Sequence, residues 1–288
     1  MRLIWIISSL LAIQAGVIKR EICDGLTVNG VCHGQEILHE NLDRPILLLV
    51  DLKSNVLYFT YLISNYECSA ARLNLDTKEF KNIEGITNGY AQAVDRNSLD
   101  VYIGSSDGLY KYDAVDDNVT FIGAEGANIL RVYYKDVLYY LLLQSRSVYT
   151  FENGVSKKFP DLDNTKVNHF IIDNEFIYFT NNTGLYSQKR GTKDAVWFNF
   201  PEVNEGDERG LAVDSKGVVH ICMQDGVYVL KQDSWTVEKI VHIDGSQGLA
   251  FDKNDNIVYS DATQLVRLLP IGPTYAKQNQ STNMPKLG

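Results

Sequence analysis

The sequence predicts an all-β protein, a six-bladed β-propeller in which an N-terminal strand completes the last blade. Two short phrases recur in step at intervals of about forty residues, which is the period of propeller blades. The segments between turns are short, rich in Val, Ile, Tyr and Phe, and bounded by Asn, Asp and Gly. No stretch of about twelve residues carries the apolar stripe of an amphipathic helix.

The first phrase joins a polar turn, a glycine and an apolar residue followed by tyrosine. It occurs as "SSDGLYKYD" from Ser105, "NNTGLYSQK" from Asn181 and "MQDGVYVLK" from Met223, with looser copies elsewhere. We interpret it as the entry to the third strand of a blade. Its glycine is predicted to sit at a tight turn that needs a positive φ or a close backbone approach.

The second phrase is an apolar run closed by aspartate, which marks the end of the innermost strand of each blade. The aspartates are Asp51, Asp95, Asp173, Asp214 and Asp252, with a degenerate sixth copy at Asp136. Residues such as "RNS", "SKG" and "KND" follow them, which is turn chemistry. We therefore expect these carboxylates to bind the backbone of their own loops rather than to act together as metal ligands.

The last blade has three strands, because a polar tail without strand pattern follows Pro270. The stretch "VCHGQEILHE" (Val31 to Glu40) is a spare strand ahead of the first blade. We predict that it completes the sixth blade, so that the ring has no open edge. The propeller is then expected over residues 16–270, with a disordered tail at 271–288.

The first fifteen residues are predicted to be a secretory signal peptide. Arg2 precedes an apolar run that is too short to span a bilayer, and small residues follow at Ala15 and Gly16. No other stretch predicts a membrane span. We expect a secreted, extracellular glycoprotein, with Asn118 and Asn181 as the glycosylation sites.

Four cysteines remain in the mature chain, and an even number in an oxidising compartment suggests two disulfides. No pair has zinc-binding spacing, and no metal is expected. In the closed ring the strand containing Cys32 lies beside blade five, which contains Cys222. This arrangement favours Cys23–Cys222 and leaves Cys32–Cys68.

The net charge of −9 argues against nucleic acid as a partner, because phosphates would be repelled and no basic cluster compensates. The sequence contains no nucleophile elbow, zinc-binding helix motif or phosphate loop. The five histidines are dispersed and are interpreted as packed or surface residues. The sequence therefore predicts neither a catalytic residue nor a cofactor.

Loops that enter the innermost strands converge on one mouth of the central channel, where propellers collect function. Candidate ligand-binding residues lie a few positions before each strand-end aspartate or at the end of a second strand: Arg44, Tyr61, Tyr90, Gln92, Asn128, Arg131, His169, Arg209 and Gln247. Arginine forks and aromatic faces together suit a flat, anionic, conjugated molecule.

The sequence resembles the ommochrome-binding proteins of Lepidoptera over nearly the whole mature chain. The segments that carry the resemblance are "EILHENLDRP" (36–45), "LNLDTKEF" (73–80), "NGYAQAVD" (88–95), "SDGLYKYD" (106–113), "KDVLYY" (135–140), "TGLYSQKRGTKDAV" (183–196) and "NIVYSDAT" (256–263). The resemblance implies a secreted, non-enzymatic haemolymph carrier whose partner is a small ommochrome pigment of the ommatin type. It supplies no binding-residue motif.

Two alternatives remain open from the sequence. One is a propeller scaffold that binds a protein partner. The other is a metal-dependent lactonase-like hydrolase, because six-bladed propellers of that type hold a divalent cation at the channel mouth. The predicted mouth offers mainly Arg, Gln, Tyr and His, which is a poor oxygen cage for calcium.

Overall fold

The computed structural model describes residues 23–63, 67–199 and 207–271, and it forms six antiparallel sheets. Five sheets have four strands in simple sequence order, and the sixth has five strands. The predicted all-β fold with six blades is therefore confirmed. The predicted signal peptide (1–15) and the predicted tail beyond Ile271 lie outside the described residues, so the predicted boundaries stay predictions.

The strands follow one another blade by blade, and each of blades one to five begins with its innermost strand. Two strands precede blade one: β1 (Leu26–Val28) and β2 (Val31–Glu40). Blade one comprises β3 (Asp43–Asp51), β4 (Val56–Leu62), β5 (Cys68–Asn74) and β6 (Phe80–Asn82). Blade two comprises β7 (Ala91–Val94), β8 (Val101–Gly104), β9 (Leu109–Asp113) and β10 (Asn118–Gly123). Blade three comprises β11 (Ile129–Lys135), β12 (Val137–Leu142), β13 (Val148–Glu152) and β14 (Val155–Lys158).

The remaining blades repeat this order. Blade four comprises β15 (His169–Ile172), β16 (Phe176–Asn181), β17 (Gly184–Lys189) and β18 (Ala195–Trp197). Blade five comprises β19 (Glu208–Val213), β20 (Val219–Met223), β21 (Gly226–Lys231) and β22 (Thr236–His242). Blade six comprises β23 (Gly248–Phe251), β24 (Ile257–Ser260) and β25 (Gln264–Pro270), followed in space by β2 and β1. A short 3₁₀ turn at Pro160–Leu162 links blades three and four.

The six innermost strands form a closed ring. Each contacts the innermost strand of the next blade, and β23 contacts β3 to complete the circle. Buried apolar side chains lie in clusters between neighbouring blades. One cluster, for example, joins Phe59 and Leu73 of blade one to Val258 and Leu265 of blade six. The hydrophobic core is thus divided among the seams between blades, and the axis itself is left for a channel.

The glycine of the first phrase lies where the prediction placed it, at the entry to a third strand. Gly108, Gly184 and Gly226 have φ values of 149°, 138° and 139°. A Cβ on Gly226 would lie 2.2 Å from the carbonyl oxygen of Val241 on the outer strand, so neighbouring backbone also excludes a side chain. The positive φ and the close backbone approach therefore both apply, as the sequence suggested. The phrase is a structural marker of the blade.

The N-terminal strand closes the ring as predicted. Strand β2 pairs antiparallel with β25, from His33 opposite Pro270 to Glu40 opposite Gln264. Arg267 Nε on β25 donates a hydrogen bond to Glu36 Oε2 on β2 at 2.8 Å, and Nη2 forms an ion pair with the same oxygen at 2.7 Å. The closure therefore combines a strand ladder with a partly buried ion pair between the two ends of the propeller.

The predicted disulfides Cys23–Cys222 and Cys32–Cys68 are wrong. The structure joins Cys23 to Cys32, with their Cα atoms 5.5 Å apart, and leaves Cys68 and Cys222 as free thiols. The physical reason is the hairpin of β1 and β2, which folds the segment before β1 back towards β2 and so brings Cys23 within bonding distance of Cys32. Cys222 lies fully buried on β20 and contacts the Ser246 hydroxyl at 3.3 Å.

The strand-end aspartates bind turn backbone, as their flanking residues predicted. Asp95 accepts a hydrogen bond from the backbone N–H of Asn97 at 2.9 Å, and Asp173 accepts from Glu175 at 2.7 Å. Asp252 accepts from Asn254 at 2.9 Å. These carboxylates fix the loops at the end of the channel where the innermost strands finish.

The part of the chain that the structure describes holds no helix with the length and apolarity needed to cross a bilayer.

Candidate ligand-binding site

A channel runs along the propeller axis and encloses a cavity of about 150 Å³. Its wall is made by side chains and backbone of all six innermost strands. Because the innermost strands start at the same mouth, residues near their first positions lie around one opening. That opening is the mouth to which the sequence assigned the candidate ligand-binding residues.

Four of the predicted residues line the channel together: Gln92, Arg131, His169 and Arg209. They come from β7, β11, β15 and β19, close to the start of each strand. We call this set the polar collar. Two guanidinium groups lie in it although the whole protein has a net charge of −9, so the collar is a local positive region.

Arg131 and His169 are held against each other. Nε and Nη2 of Arg131 both lie 3.4 Å from Nδ1 of His169, so Nδ1 is the acceptor and the ring proton belongs on Nε2. Burial lowers the pKa of His169 well below its ordinary value, and the charges of Arg131, Arg146 and Arg209 lower it further. The imidazole is therefore neutral at physiological pH and carries its proton on Nε2.

Arg131 is fixed by two further neighbours. Its Nη1 donates to the carbonyl oxygen of Leu130 at 2.8 Å, and its Cζ lies 6.0 Å from the centroid of the Tyr90 ring. This cation–π contact places the aromatic face of Tyr90 beside the collar. Tyr90 thus lies next to Arg131, which gives the pairing of an aromatic face with a guanidinium that the sequence predicted for the mouth.

Gln92 is oriented by the hydrogen bonds of its amide nitrogen. Nε2 donates to Thr60 Oγ1 at 2.8 Å and lies 3.4 Å from the carbonyl oxygen of Phe59, while the Thr60 hydroxyl itself donates to Tyr90 O at 2.5 Å. Both partners of the nitrogen are acceptors, so the amide cannot be flipped without losing them. Gln92 Oε1 is buried and has no hydrogen-bond partner in the described structure.

Arg209 completes the collar on the blade-five side, and Glu208 precedes it on β19. Arg209 Nη2 donates to Gln224 Oε1 at 2.9 Å. Burial raises the pKa of the Glu208 carboxyl, against the opposing effects of the Thr180 hydroxyl and the Arg131 charge. A raised pKa favours the neutral form of the Glu208 carboxyl. This group therefore offsets less of the positive charge of the collar than an exposed carboxylate would.

Below the collar the channel wall is apolar. Leu47, Leu49 and Leu211 are only partly buried and line the cavity, together with buried residues such as Phe170 and Leu249. We call this part of the channel the apolar well. Each of these leucines packs against a core cluster between blades and keeps part of its surface exposed, so the well presents apolar surface of the kind that lines ligand pockets.

Tyr90 lies beside the collar without lining the channel, and four other predicted residues do not line it either. Asn128 and Gln247 are partly exposed beside the mouth, where Gln247 Nε2 is 3.4 Å from the carbonyl oxygen of Gly245. Arg44 is exposed and pairs with the adjacent Asp43 at 3.0 Å.

The fourth of these residues, Tyr61, is turned towards the outer strand of blade one. Its hydroxyl donates to Asn82 at 2.9 Å, and its ring lies 6.2 Å from those of Phe59 and Phe80. No contact to the collar is made by its side chain in this arrangement.

Two residues of the mouth were missed by the sequence reasoning. Arg146 follows the turn between β12 and β13, and its charge acts on both Arg131 and His169. Its position directly before the repeated third-strand phrase was an available signal. Glu208 was overlooked beside Arg209, although a charged pair at the start of an innermost strand is a sufficient reason to consider both.

The residues of the mouth fit an anion better than a divalent metal ion. Within the described ranges, no group of three His, Cys, Asp or Glu side chains has an arrangement that could hold a metal ion. The collar consists of two guanidiniums, one imidazole and one amide, and fixed positive charges repel calcium. The chemistry that these side chains offer is donation of hydrogen bonds to a carboxylate or carbonyl group.

Comparison with solved structures defines the class of protein as a six-bladed propeller. A gluconolactonase from Xanthomonas campestris superposes with a TM-score of 0.68 at 14% identity, covering 86% of this chain and 96% of that protein. Regucalcin from Agrobacterium tumefaciens, a calcium-binding protein, gives a TM-score of 0.62 at 14% identity, covering 83% and 96%. At this level of identity the likeness establishes the fold alone.

No protein-family model matches the sequence. Among curated proteins, the chain is similar to the ommochrome-binding protein of Manduca sexta, a lepidopteran, with 28% identity over 255 residues. The alignment covers 86% of this chain and 91% of that protein. The family resemblance predicted from the sequence is confirmed by this relative.

Proposed function

We propose that the protein is a secreted, non-enzymatic carrier that binds an ommochrome pigment of the ommatin type at the polar collar. The observation that carries the proposal is the convergence of Arg131, Arg209 and the neutral His169 around one mouth of the channel. The similarity to an ommochrome-binding protein supports the choice of ligand. The disulfide between Cys23 and Cys32 supports an extracellular location.

The collar suits the chemistry of such a pigment. Guanidinium groups bind carboxylates through paired, charge-assisted hydrogen bonds, and the His169 Nε2 proton suits a ring carbonyl. The Tyr90 face beside Arg131 offers a surface on which a planar ring system stacks. A fused tricyclic pigment exceeds the 150 Å³ cavity and therefore lies across the collar, with at most one ring inside the channel.

An absorbance titration of the purified protein with an ommatin tests the proposal. We expect a saturable shift of the visible band, and affinity about tenfold to a hundredfold weaker in Arg131→Gln and in Arg209→Gln, since each removes charge-assisted hydrogen bonds. Arg96→Gln is the matched control, because Arg96 lines the same channel at the other end, after β7. Equal losses in all three variants would contradict binding at the collar, and no spectral shift would contradict the carrier function.

The propeller neighbours favour one alternative, a metal-dependent hydrolase, because a gluconolactonase and a calcium-binding regucalcin share the fold. A lactonase assay with added calcium or zinc separates the two functions. Metal-dependent turnover that is lost together with bound metal would favour the enzyme. The other alternative, a protein-binding scaffold, predicts a retained protein partner and no spectral shift with pigment.

A further inference from the structure

We infer that the channel is a site for a single six-membered aromatic ring bearing a carboxylate, with the ring in the apolar well and the carboxylate at the polar collar. The protein then binds monocyclic aromatic acids in their own right. The inference deepens the proposed function and rests on the same collar, but it commits to a ligand of defined size and orientation.

The volume of the channel limits the size of the ligand. A cavity of about 150 Å³ lined by Leu, Ile and Phe side chains in another protein binds one benzene molecule, which gives a direct scale for this channel. The cavity here has the same volume and leucine and phenylalanine on its walls. Two fused rings do not fit within it, whereas one ring does.

The chemistry of the channel wall determines the orientation of the bound aromatic acid. Leu47, Leu49 and Leu211 are partly exposed to the channel, so a ring that covers them removes apolar surface from water. A carboxylate placed among these leucines would lose its hydration without gaining a partner. The same group at the collar meets Arg131 and Arg209. The ring therefore enters first, and the acid stays at the mouth.

The two ends of the channel are not equivalent. The far end presents Arg96, which is exposed, whereas the collar combines Arg131, His169 and Arg209 in one opening. A carboxylate held by several convergent donors is bound more strongly than one that meets a single solvated guanidinium. The collar end is thus the end at which the acid is held.

The inference is tested by calorimetric titration of the full mature chain with benzoate and three comparison probes. Benzyl alcohol keeps the ring without the charge, acetate keeps the charge without the ring, and 2-naphthoate adds a second ring. We expect one benzoate per chain, with affinity at least about tenfold above that of each of the other three, since one charge-assisted contact or one excluded ring is worth about that factor. A 2-naphthoate affinity equal to that of benzoate would overturn the size argument.

A variant that fills the well provides the second measurement. Leu211→Trp adds bulk to the channel wall and is expected to weaken benzoate binding at least about tenfold. Val115→Trp, at a turn residue that is 92% exposed, introduces the same side chain away from the channel and should leave binding unchanged. Unaltered benzoate affinity in a folded Leu211→Trp protein would overturn the inference, and the probe series on the unmodified chain decides the matter if that variant does not fold.

Pigment titration of the same preparation separates this inference from the proposed function. Pigment binding without benzoate binding would refute the single-ring site and leave the carrier function standing. Benzoate binding without pigment binding would refute the carrier function and leave the single-ring site standing. Competition of benzoate with pigment is the result expected if both are correct.

Discussion

Replacing Gly226 with alanine tests why each blade needs a glycine at the entry to its third strand. Gly226 has φ of +139°, a conformation that residues with a Cβ rarely adopt. A Cβ at this position would also lie 2.2 Å from Val241 O, 3.1 Å from His242 Cα and 3.2 Å from Ile243 N. These atoms belong to the outer strand of blade five and the residue after it, so relief of the overlap requires movement of backbone.

The expected loss of stability has two parts. The unfavourable φ costs about 1–3 kcal/mol. The displacement of packed backbone adds about 1–3 kcal/mol, as overpacking does in protein cores. We therefore expect Gly226→Ala to lower the free energy of unfolding by about 4 kcal/mol and the melting temperature by about 10 °C.

The assay is urea and thermal unfolding followed by far-ultraviolet circular dichroism. Gly154→Ala is the matched control, because Gly154 has φ of +77° but no atom within 4 Å of an added Cβ. That variant should lose only about 1–2 kcal/mol, the cost of a left-handed conformation for alanine. Equal losses in the two variants would refute the role of close backbone approach and leave φ as the sole reason for the glycine.

Two further predictions concern the ring closure and the free thiols. Glu36→Gln should cost about 1–2 kcal/mol at neutral pH, because Arg267 then loses a charged acceptor. Burial alone would raise the pKa of Glu36, but Arg267 and Lys78 outweigh it and lower that pKa. The difference in the free energy of unfolding between wild type and variant is therefore largest at neutral pH and disappears as pH falls through the folded-state pKa of Glu36. Urea titrations at several pH values measure this difference. Iodoacetamide should label Cys68 well before Cys222, whose pKa burial raises to about 12; mass spectrometry that finds the opposite order would contradict the assigned burial.

The blade architecture was predictable because local chemistry determines it. The glycines and strand-end aspartates act on their own turns, so their repetition along the chain reports the repetition of the blades directly. Ring closure was predictable for a related reason. The last blade is one strand short, and Val31–Glu40 is a spare strand that can supply the missing edge.

The disulfide prediction failed because a local signal was passed over in favour of a long-range argument. Asn29-Gly30 lies between two short apolar segments, which is a strong hairpin signal. In the structure Asn29 and Gly30 have φ values of 48° and 79°, and β1 pairs with β2 across this turn. Recognition of that hairpin would have placed the segment that contains Cys23 close to Cys32 and favoured a local disulfide.

The candidate site was only partly predictable, because counting back from an aspartate assumes a regular strand. The assumption holds well enough for Gln92 and His169, which lie in strands that pair without a register shift to their neighbours. It fails in β3, where the pairing with β4 shifts register on both sides of Ile46 and where Arg44 and Leu47 have φ values of 47° and 59°.

These irregularities of β3 determine the composition of the site. On blade one the channel is lined by Leu47 rather than by Arg44, so an apolar residue stands where the sequence suggested a third cation. The sequence could name the residue types at the mouth, but strand bulges decide which of them face the axis. The repeat thus predicted the residues of the charged collar, whereas the apolar contribution of blade one to the channel follows from the local geometry of β3.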